Sequence, residues 1–299
     1  MKLKRGDTIG LVAPAGSIEK EVLESAIENL TTMGFKVKVG ESVTKKWYSF
    51  AGTDEERAKD INDFFKDKGI EAIMCVRGGY GCTRLLELLD YEEIKKNPKP
   101  FIGYSDITSV LLALYKKCGM KSYHGPMGVS NFSGSYDRET LNHFLGVVME
   151  DFKECNLENF GEEIGFYNSL KGAGVLIGGN LAVLVSNLRS EYDVDYRDKI
   201  LFIEEISEST YKVDRMLWQL KNAGVLNEIS GIILGDFKNC EKSSENDMSL
   251  KEVFDFHFAN LKKPVCYNLK SGHCKPMLTL EFGGTYRIDG EKRIVKYNN

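Results

Sequence analysis

The sequence predicts an α/β protein built on an open parallel β-sheet with helices on both faces. Through the first half of the chain, short apolar runs alternate with amphipathic runs of helical period, which is the pattern of repeated β-α-β units. The run at residues 72–76 is apolar throughout, as expected of a strand that a parallel sheet buries on both faces. At 299 residues the chain exceeds the usual size of one domain, so we expect two domains.

Each element of the first half has its own signal. The helix predicted at residues 19–33 carries apolar side chains on one face, and Gly34 follows it as a stop. The helix at residues 54–66 likewise places Ala58, Ile61 and Phe64 on an inward face. In chain order, strands are predicted at residues 8–12, 35–39, 72–76 and 101–102, and helices at 19–33, 54–66, 83–89 and directly after Ser105.

The alternating pattern loosens from about residue 131, where a loop with glycine and serine precedes a predicted helix at residues 138–149 and a polar stretch. We therefore divide the chain into a first domain at residues 1–150, a linker at 151–170 and a second domain at 171–299. The second domain is predicted to hold strands at 175–177, 200–203, 231–234, 278–282 and 285–288, and helices opening at Asn180 and spanning 212–222.

Charge and apolar patterning exclude several classes of partner. With 40 basic and 44 acidic residues the net charge is −4, and no basic block is present, so no nucleic-acid partner is expected. No stretch approaches the roughly 18 apolar residues of a membrane span, and no secretory leader precedes the first strand. We expect a cytoplasmic protein without a membrane partner. The seven cysteines form no CxxC pair, which favours reduced thiols.

Ser105 lies where a strand turns sharply into a helix. The run Phe101-Ile102 precedes Gly103-Tyr104-Ser105-Asp106, and an amphipathic run follows. A serine in such a turn projects its hydroxyl from the sheet edge as a nucleophile, and the N–H of Asp106 can donate to a developing oxyanion. The alternative interpretation is a helix N-cap, because serine and aspartate are common caps.

A glycine-bearing loop, Arg77-Gly78-Gly79-Tyr80-Gly81, follows the apolar strand at residues 72–76. Ligands of open α/β sheets bind beyond the carboxyl ends of the strands, and glycines let the backbone approach them closely. The loop is thus a candidate for a second oxyanion donor. A phosphate-binding loop or a plain tight turn are the alternatives, although the spacing matches neither GxGxxG nor a P-loop.

A serine nucleophile needs a base and a group that orients the base. Of the four histidines, His143 and His257 lie in helical runs and His124 follows a short strand, whereas His273 lies in a late glycine-bearing loop and is the favoured base. For the orienting carboxylate, Glu204 and Glu205 end the apolar strand at residues 200–203. A solvated strand end is the alternative interpretation of these two acids.

Six segments together resemble the LD-carboxypeptidase family, the muramoyltetrapeptide carboxypeptidases, in order along nearly the whole chain. Each segment alone is a weak indication of the family, whereas the six segments together are specific for it. They are Arg77-Gly78-Gly79-Tyr80-Gly81, Gly103-Tyr104-Ser105-Asp106, Ile177-Gly178-Gly179-Asn180-Leu181, Leu201-Phe202-Ile203-Glu204-Glu205, Tyr211-Lys212-Val213-Asp214-Arg215 and Gly272-His273.

The resemblance implies a flavodoxin-like N-terminal domain joined to a smaller mixed α/β C-terminal domain. It implies a triad of Ser105, Glu204 and His273, with oxyanion donors at Asp106 and at Gly78 or Gly79. The family usually has Glu-Asp where this chain has Glu204-Glu205. A carboxypeptidase must also bind the terminal carboxylate of its substrate, for which Arg77 is a candidate.

The family has two branches, which differ in substrate. One branch releases D-alanine from cytoplasmic murein tetrapeptides during peptidoglycan recycling, and the helix containing Tyr211 to Leu220 and the compact length favour it. The other branch hydrolyses peptidyl nucleotides of the microcin C type and confers self-immunity; its members tend to be longer, with an inserted aromatic loop. We expect a small peptide substrate, no cofactor or metal, and a homodimer.

Two further classes remain as alternatives. A metallohydrolase would use His257, Cys266, His273 and Cys274, whose spacing matches no recurring zinc pattern. A noncatalytic ligand-binding α/β protein is the other, since a fold alone never establishes chemistry.

Overall fold

The computed structural model describes residues 2–150 and 154–298, which form two β-sheets flanked by helices. The strands are β1 (Thr8–Val12), β2 (Lys36–Val39), β3 (Ala72–Cys75), β4 (Phe101–Gly103), β5 (Ser122–His124), β6 (Glu154–Asn156), β7 (Gly165–Phe166), β8 (Lys171–Asn180), β9 (Lys199–Ile206), β10 (Gly231–Lys238), β11 (Val265–Tyr267), β12 (Leu280–Phe282), β13 (Thr285–Asp289) and β14 (Ile294–Asn298).

Ten α-helices and two short 3-10 helices connect the strands within these residues. The α-helices are α1 (Lys20–Thr32), α2 (Asp54–Lys66), α3 (Tyr91–Lys96), α4 (Thr108–Cys118), α5 (Gly128–Phe132), α6 (Arg138–Met149), α7 (Leu181–Ser186), α8 (Thr210–Asn222), α9 (Val225–Glu228) and α10 (Leu250–Phe258). The 3-10 helices are Cys82–Leu88 and Ser105–Ile107.

The first sheet has the order β12-β5-β4-β3-β1-β2. Strands β1 to β5 pair in parallel, and β12 is antiparallel to β5 at the edge. The order 2-1-3-4-5 of the parallel strands is the flavodoxin-like arrangement, in which ligands bind at the carboxyl ends of the strands. The predicted α/β fold with an open parallel sheet is confirmed.

The second sheet is mixed, with the order β6-β14-β13-β8-β9-β10-β11-β7. Its central strands β8 to β11 run parallel, while the outer strands pair antiparallel. Buried side chains such as Leu201 and Ile203 fill the space between this sheet and the helices that cover it. The parallel register pairs Asn180 with Glu204, which places the ends of β8 and β9 side by side.

The two sheets contact each other closely. Strand β12 lies late in the chain but extends the first sheet, pairing Leu280 with His124. The backbone N–H of Asn180, at the end of β8, donates to Thr108 Oγ1 at the start of α4 over 3.0 Å. These contacts bring the carboxyl edges of the parallel strands of both sheets toward one region.

Some boundaries differ from the sequence prediction. The helix predicted at residues 83–89 is the 3-10 helix Cys82–Leu88, at whose start the backbone N–H of Cys82 donates to the side chain of Asp106. In the predicted linker, residues 151–153 lie outside the described residues, and the rest includes β6 and β7. All seven cysteines are free thiols. Among the helices described, none is long and apolar enough to cross a membrane.

Candidate active site

Ser105 follows β4 in a left-handed backbone conformation, with φ of 64°. A non-glycine residue in this region costs about 1 kcal/mol, and such strain is concentrated at functional sites. A helix N-cap instead has an extended backbone, and here that position is occupied by Tyr104. Ser105 therefore has the backbone of a nucleophile elbow rather than that of a simple cap.

The glycine loop after β3 approaches Ser105 more closely than any side chain would allow. A Cβ atom built on Gly78 would lie 3.0 Å from Ser105 Oγ and 3.6 Å from the backbone nitrogen of Asp106. Gly79 has a φ of 140°, and a Cβ built on it would instead meet the backbone of Gly16. The backbone of Gly78 thus lies against Ser105, and Gly79 packs against the loop that follows β1.

Asp106 fixes the elbow from within. Its side chain is buried, and Oδ2 accepts a hydrogen bond from the backbone N–H of Cys82 at 2.9 Å. Burial raises the pKa of this carboxyl group, while the hydrogen bond from Cys82 opposes the rise. The side chain of Asp106 thus joins the elbow to the segment that follows the glycine loop.

Glu204 and His273 form a hydrogen-bonded pair in the same region. His273 Nδ1 donates to Glu204 Oε2 over 2.7 Å, and the glutamate side chain is fully buried at the end of β9. Gly272 has a φ of 120°, and a Cβ built there would lie 2.9 Å from Oε2, so the loop packs directly on the carboxylate. With Nδ1 donating, a neutral His273 keeps Nε2 free to accept a proton.

Tyr104 connects the elbow to this pair. Its ring contacts His273 edge to face, with centroids 5.0 Å apart, and it precedes Ser105 in the chain. Burial raises the pKa of the Tyr104 hydroxyl. The structure therefore brings Ser105, Gly78, His273 and Glu204 to one edge of the two sheets.

Glu205 has a different environment from Glu204. Its carboxylate accepts hydrogen bonds of 2.8 Å from Asn180 Nδ2 and from the backbone N–H groups of Ala182 and Ile206. Burial raises its pKa, an effect that these hydrogen bonds oppose. Because successive residues of a strand face opposite sides, Glu205 supports the turn into α7 while Glu204 faces His273.

None of the other three histidines pairs with Glu204. His124 is fully buried on β5 between Tyr104 and Phe202, and burial lowers its pKa to about 3. His143 Nδ1 accepts a hydrogen bond from the backbone N–H of Thr279 at 3.1 Å, and burial lowers its pKa to about 4. His257 Nε2 lies 2.7 Å from Asp214 Oδ1, between α8 and α10.

The residues considered for a metal site are not brought together. Cys266 is buried in β11, where its thiol donates to the backbone oxygen of Ile232, while His257 pairs with Asp214. Over residues 2–150 and 154–298, no group of three or more His, Cys, Asp or Glu side chains is arranged to hold a metal ion.

Arg77 lies beside the glycine loop with an exposed guanidinium group. Its Nε donates to the backbone oxygen of Gly78 at 3.1 Å, and Nη1 donates to that of Ser17 at 3.3 Å. The guanidinium group lines an open cavity of about 330 Å³, which is also lined by Glu19 and Ser130. A carboxylate entering this cavity would meet a cation next to the loop that touches Ser105.

The elbow serine follows a strand of the doubly wound first sheet, and the His–Glu pair comes from β9 of the second sheet and a later loop. These are the parts from which serine hydrolases are built. Residues 9–125 match the LD-carboxypeptidase N-terminal domain, and residues 173–288 match the LD-carboxypeptidase C-terminal domain. The chain belongs to the LD-carboxypeptidase family, which confirms the resemblance seen in its motifs.

Relatives across nearly the whole length carry related names. The chain is 36% identical to a probable murein peptide carboxypeptidase of Bacillus subtilis, covering 94% of this chain and 88% of that protein. It is 31% identical to a murein tetrapeptide carboxypeptidase of Pseudomonas aeruginosa, covering 95% and 94%.

Two solved structures are also similar to this chain over nearly its whole length. A muramoyltetrapeptide carboxypeptidase from Oxalobacter formigenes superimposes with a TM-score of 0.87 at 31% identity, over 98% of this chain and 99% of that one. MccF in complex with glutamyl sulfamoyl guanosine superimposes with a TM-score of 0.92 at 28% identity, over 100% and 97%.

Proposed function

We propose that this protein is a serine carboxypeptidase that releases C-terminal D-alanine from murein tetrapeptides in peptidoglycan recycling. The observation that carries the proposal is the 2.7 Å hydrogen bond between His273 and Glu204 beside an elbow serine. The names of the relatives, murein peptide and murein tetrapeptide carboxypeptidase, support the choice of substrate.

In this mechanism Ser105 is the nucleophile. Its Oγ attacks the carbonyl carbon of the terminal L,D-amide while His273 Nε2 takes the hydroxyl proton, and the same proton then passes to the nitrogen of the departing D-alanine. Water, deprotonated by His273, hydrolyses the acyl-enzyme. Glu204 holds the imidazole in the Nδ1–H tautomer and stabilises the imidazolium that forms in each half-reaction.

Backbone N–H groups stabilise the oxyanion of the tetrahedral intermediate. The proposed donors are Asp106 and one glycine of the pair Gly78 and Gly79. The close approach of Gly78 to Ser105 Oγ and to the backbone nitrogen of Asp106 supports this location. Donors preorganised where charge develops are worth roughly 10² to 10³ in kcat each.

Arg77 is proposed to bind the free terminal carboxylate. Its guanidinium group is exposed in the cavity beside the glycine loop, and only backbone oxygens accept its two hydrogen bonds given by the structure. A charge-assisted contact with the substrate carboxylate would select exopeptidase over endopeptidase cleavage.

The proposal also includes a cytoplasmic location and a homodimer. Light scattering on the purified protein, as it elutes from a size-exclusion column, would measure its mass in solution and so test the dimer.

A second candidate is hydrolysis of a peptidyl nucleotide. The TM-score of 0.92 with MccF bound to glutamyl sulfamoyl guanosine favours it. The same triad would serve both reactions, since each breaks an amide bond at a carbonyl next to an L-centre.

One experiment separates the two candidates. The purified protein is incubated with L-Ala-D-Glu-meso-diaminopimelate-D-Ala and, separately, with an aspartyl sulfamoyl adenosine, and the products are identified by mass. Release of D-alanine at the higher kcat/KM supports the murein assignment. Faster cleavage of the nucleotide conjugate would replace it with the immunity function, and cleavage of neither would remove both.

A further inference from the structure

Arg57 is a buried cation beside the loops of the candidate active site. It lies near the start of α2, and its side chain is 0% exposed. Arginine is almost never fully buried unless it is paired, because removing its charge from water is costly. Specific partners must therefore hold the guanidinium group in place, and several of them belong to the loops around Ser105.

The guanidinium group joins the loops that follow two strands of the first sheet. Nη1 donates to the backbone oxygen of Pro14, after β1, and to that of Gly81, after β3, the latter at 3.3 Å. Nε donates to the backbone oxygen of Thr53 at 3.3 Å. Because the donors of a guanidinium group are held in one plane, this side chain fixes the position of the two loops relative to each other.

The packing around Gly81 leaves no room for a side chain. Gly81 has a φ of 119°, and a Cβ built on it would lie 2.7 Å from the Phe50 ring and 3.0 Å from Arg57 Nη1. The guanidinium carbon of Arg57 lies 4.8 Å from the centroid of the same ring. The glycine backbone therefore packs directly on the guanidinium group and the ring.

Gly81 ends the glycine loop, and the loop is tied to the nucleophile elbow directly after it. The backbone N–H of Cys82 donates to Asp106 Oδ2 at 2.9 Å, and the backbone N–H of Asp106 is itself a proposed oxyanion donor. Three residues before Gly81, Gly78 lies against the elbow serine. The end of the loop is thus held by Arg57 on one side and by the elbow on the other, and both contacts determine where the loop N–H groups lie.

The charge of Arg57 acts on the elbow as well. Asp54 pairs with both Arg57 and Arg84, so one carboxylate is shared by two guanidinium groups and one positive charge remains. Burial raises the pKa of Asp106, whereas the hydrogen bond from Cys82 and the positive charge of Arg57 lower it. Arg57 therefore favours the ionised carboxylate, which is the stronger acceptor for the backbone N–H of Cys82.

We propose that Arg57 is a positioning residue for the oxyanion hole, holding the glycine loop where a backbone N–H can stabilise the tetrahedral intermediate. This inference rests on the proposed function, of which it needs only that Ser105 is the nucleophile. A fully buried side chain does not contact the substrate, so Arg57 acts through the loop. Its effect belongs to the transition state, because the oxyanion forms only after the substrate is bound.

The test removes the guanidinium group and measures two rates. Arg57→Met deletes every donor, and D-alanine release from the tetrapeptide then gives kcat and KM. A fluorophosphonate probe gives the rate constant for phosphonylation of Ser105. In that reaction Ser105 Oγ bonds to phosphorus, its proton passes to His273 and fluoride leaves, while the phosphoryl oxygen occupies the oxyanion hole. We expect kcat and the phosphonylation rate to fall by about 10²-fold, with KM nearly unchanged.

Two further variants separate positioning from stability. Arg57→Lys keeps the charge and can donate to one of the two loop oxygens, so it should lose about tenfold in both rates, the value of one hydrogen bond to a charged group. Lys99→Met is the matched control. Lys99 is also buried, and its Nζ donates to the backbone oxygens of Phe64, at 2.8 Å, and Asp67, at the C-terminal end of α2. Its loss should lower stability and leave both rates unchanged.

Circular dichroism identifies the variants that are folded at the assay temperature. If Arg57→Met does not fold, Arg57→Lys is measured in its place. A folded Arg57 variant with the kcat and phosphonylation rate of Lys99→Met would overturn the inference, and so would a loss confined to KM.

The probe also keeps this inference separate from the choice of substrate. Phosphonylation that depends on Arg57 supports the positioning role even if the protein releases no D-alanine. Phosphonylation that is indifferent to Arg57 would overturn it while leaving the murein assignment intact. A lack of phosphonylation in the unchanged protein would remove Ser105 as the nucleophile and the inference with it.

Discussion

Glu204 and Glu205 are neighbours in β9, yet only Glu204 accepts a hydrogen bond from His273, at 2.7 Å. The carboxylate of Glu205 is instead held by Asn180 and by two backbone N–H groups at the start of α7 and the end of β9. The two acids therefore serve catalysis and folding separately in the proposed mechanism, and mutation can distinguish them.

Glu204→Gln should lower kcat by about 10³- to 10⁴-fold, because an amide cannot stabilise the imidazolium and favours the wrong tautomer. Glu205→Gln should lower kcat far less and instead reduce the free energy of unfolding by about 1 to 3 kcal/mol, since an amide nitrogen would face buried donors. Steady-state kinetics and urea unfolding of both variants measure this. The reverse ranking of kcat would transfer the orienting role to Glu205.

Ser105→Ala should lower kcat by about 10⁴ to 10⁶, because the members of a triad act as a unit. The fold should be retained, since alanine adds no atoms at the elbow. D-alanine release and thermal unfolding are measured on the same preparation. Near-normal turnover by a well-folded variant would show that another group is the nucleophile.

The sequence predicts the alternation of strands and helices and a parallel first sheet, but not the strand that extends that sheet at its edge. The signals for β1 to β4 and for α1 and α2 are local hydrophobic patterns, and these elements are confirmed within a few residues. Strand β12 is different. Its three residues join β5 from more than 150 positions later in the chain, a contact that no local pattern encodes.

The site was predictable in its residue types and not in its geometry. The left-handed backbone of Ser105 depends on the packing around it, including the hydrogen bond from Cys82 to Asp106. The choice between Glu204 and Glu205 depends on which strand face meets His273, a loop residue 69 positions away in sequence.

Gly78→Ala should lower kcat by about 10²-fold and reduce the free energy of unfolding by about 1 to 3 kcal/mol, because the added Cβ atom would lie 2.9 Å from Ser105 Cβ. A Cβ atom at this position would lie 3.0 Å from Ser105 Oγ, and a displacement of the reacting atoms by ~1 Å can cost that factor. Gly69→Ala is the control, since a Cβ built there meets only the side chain of Asp67 at 3.3 Å. Equal kcat values for the two variants would argue against a close approach of the loop to the nucleophile.

Stability should depend on pH through His124. Burial lowers its folded-state pKa to about 3, against about 6.5 in the unfolded chain, so the unfolded state binds more protons between these values. The free energy of unfolding should therefore fall as the pH drops below about 6.5. In His124→Phe this dependence should be weaker by up to about 1.4 kcal/mol per pH unit, the contribution of one proton. Urea unfolding at several pH values measures both slopes, and identical slopes would show that His124 titrates normally.

The stereochemistry of the terminal residue gives the sharpest test of the murein assignment, and it rests on membership of the family. The site must accept the methyl group of D-alanine while its carboxylate reaches Arg77 and its amide carbonyl lies against Ser105. An L-alanine terminus exchanges two of these groups and misplaces the carbonyl, at a cost of about 10²-fold or more in rate.

The protein should therefore release D-alanine from L-Ala-D-Glu-meso-diaminopimelate-D-Ala, cleave the L-alanine analogue at least 10²-fold more slowly, and fail on a peptide amidated at its terminal carboxylate. Arg77→Gln should raise KM for the tetrapeptide and reduce the discrimination against the amidated peptide, because the neutral side chain no longer favours a charged terminus. Lys116→Gln, at an exposed position on α4, is the matched loss of charge. Equal rates on the D- and L-alanine peptides would indicate a broad peptidase instead.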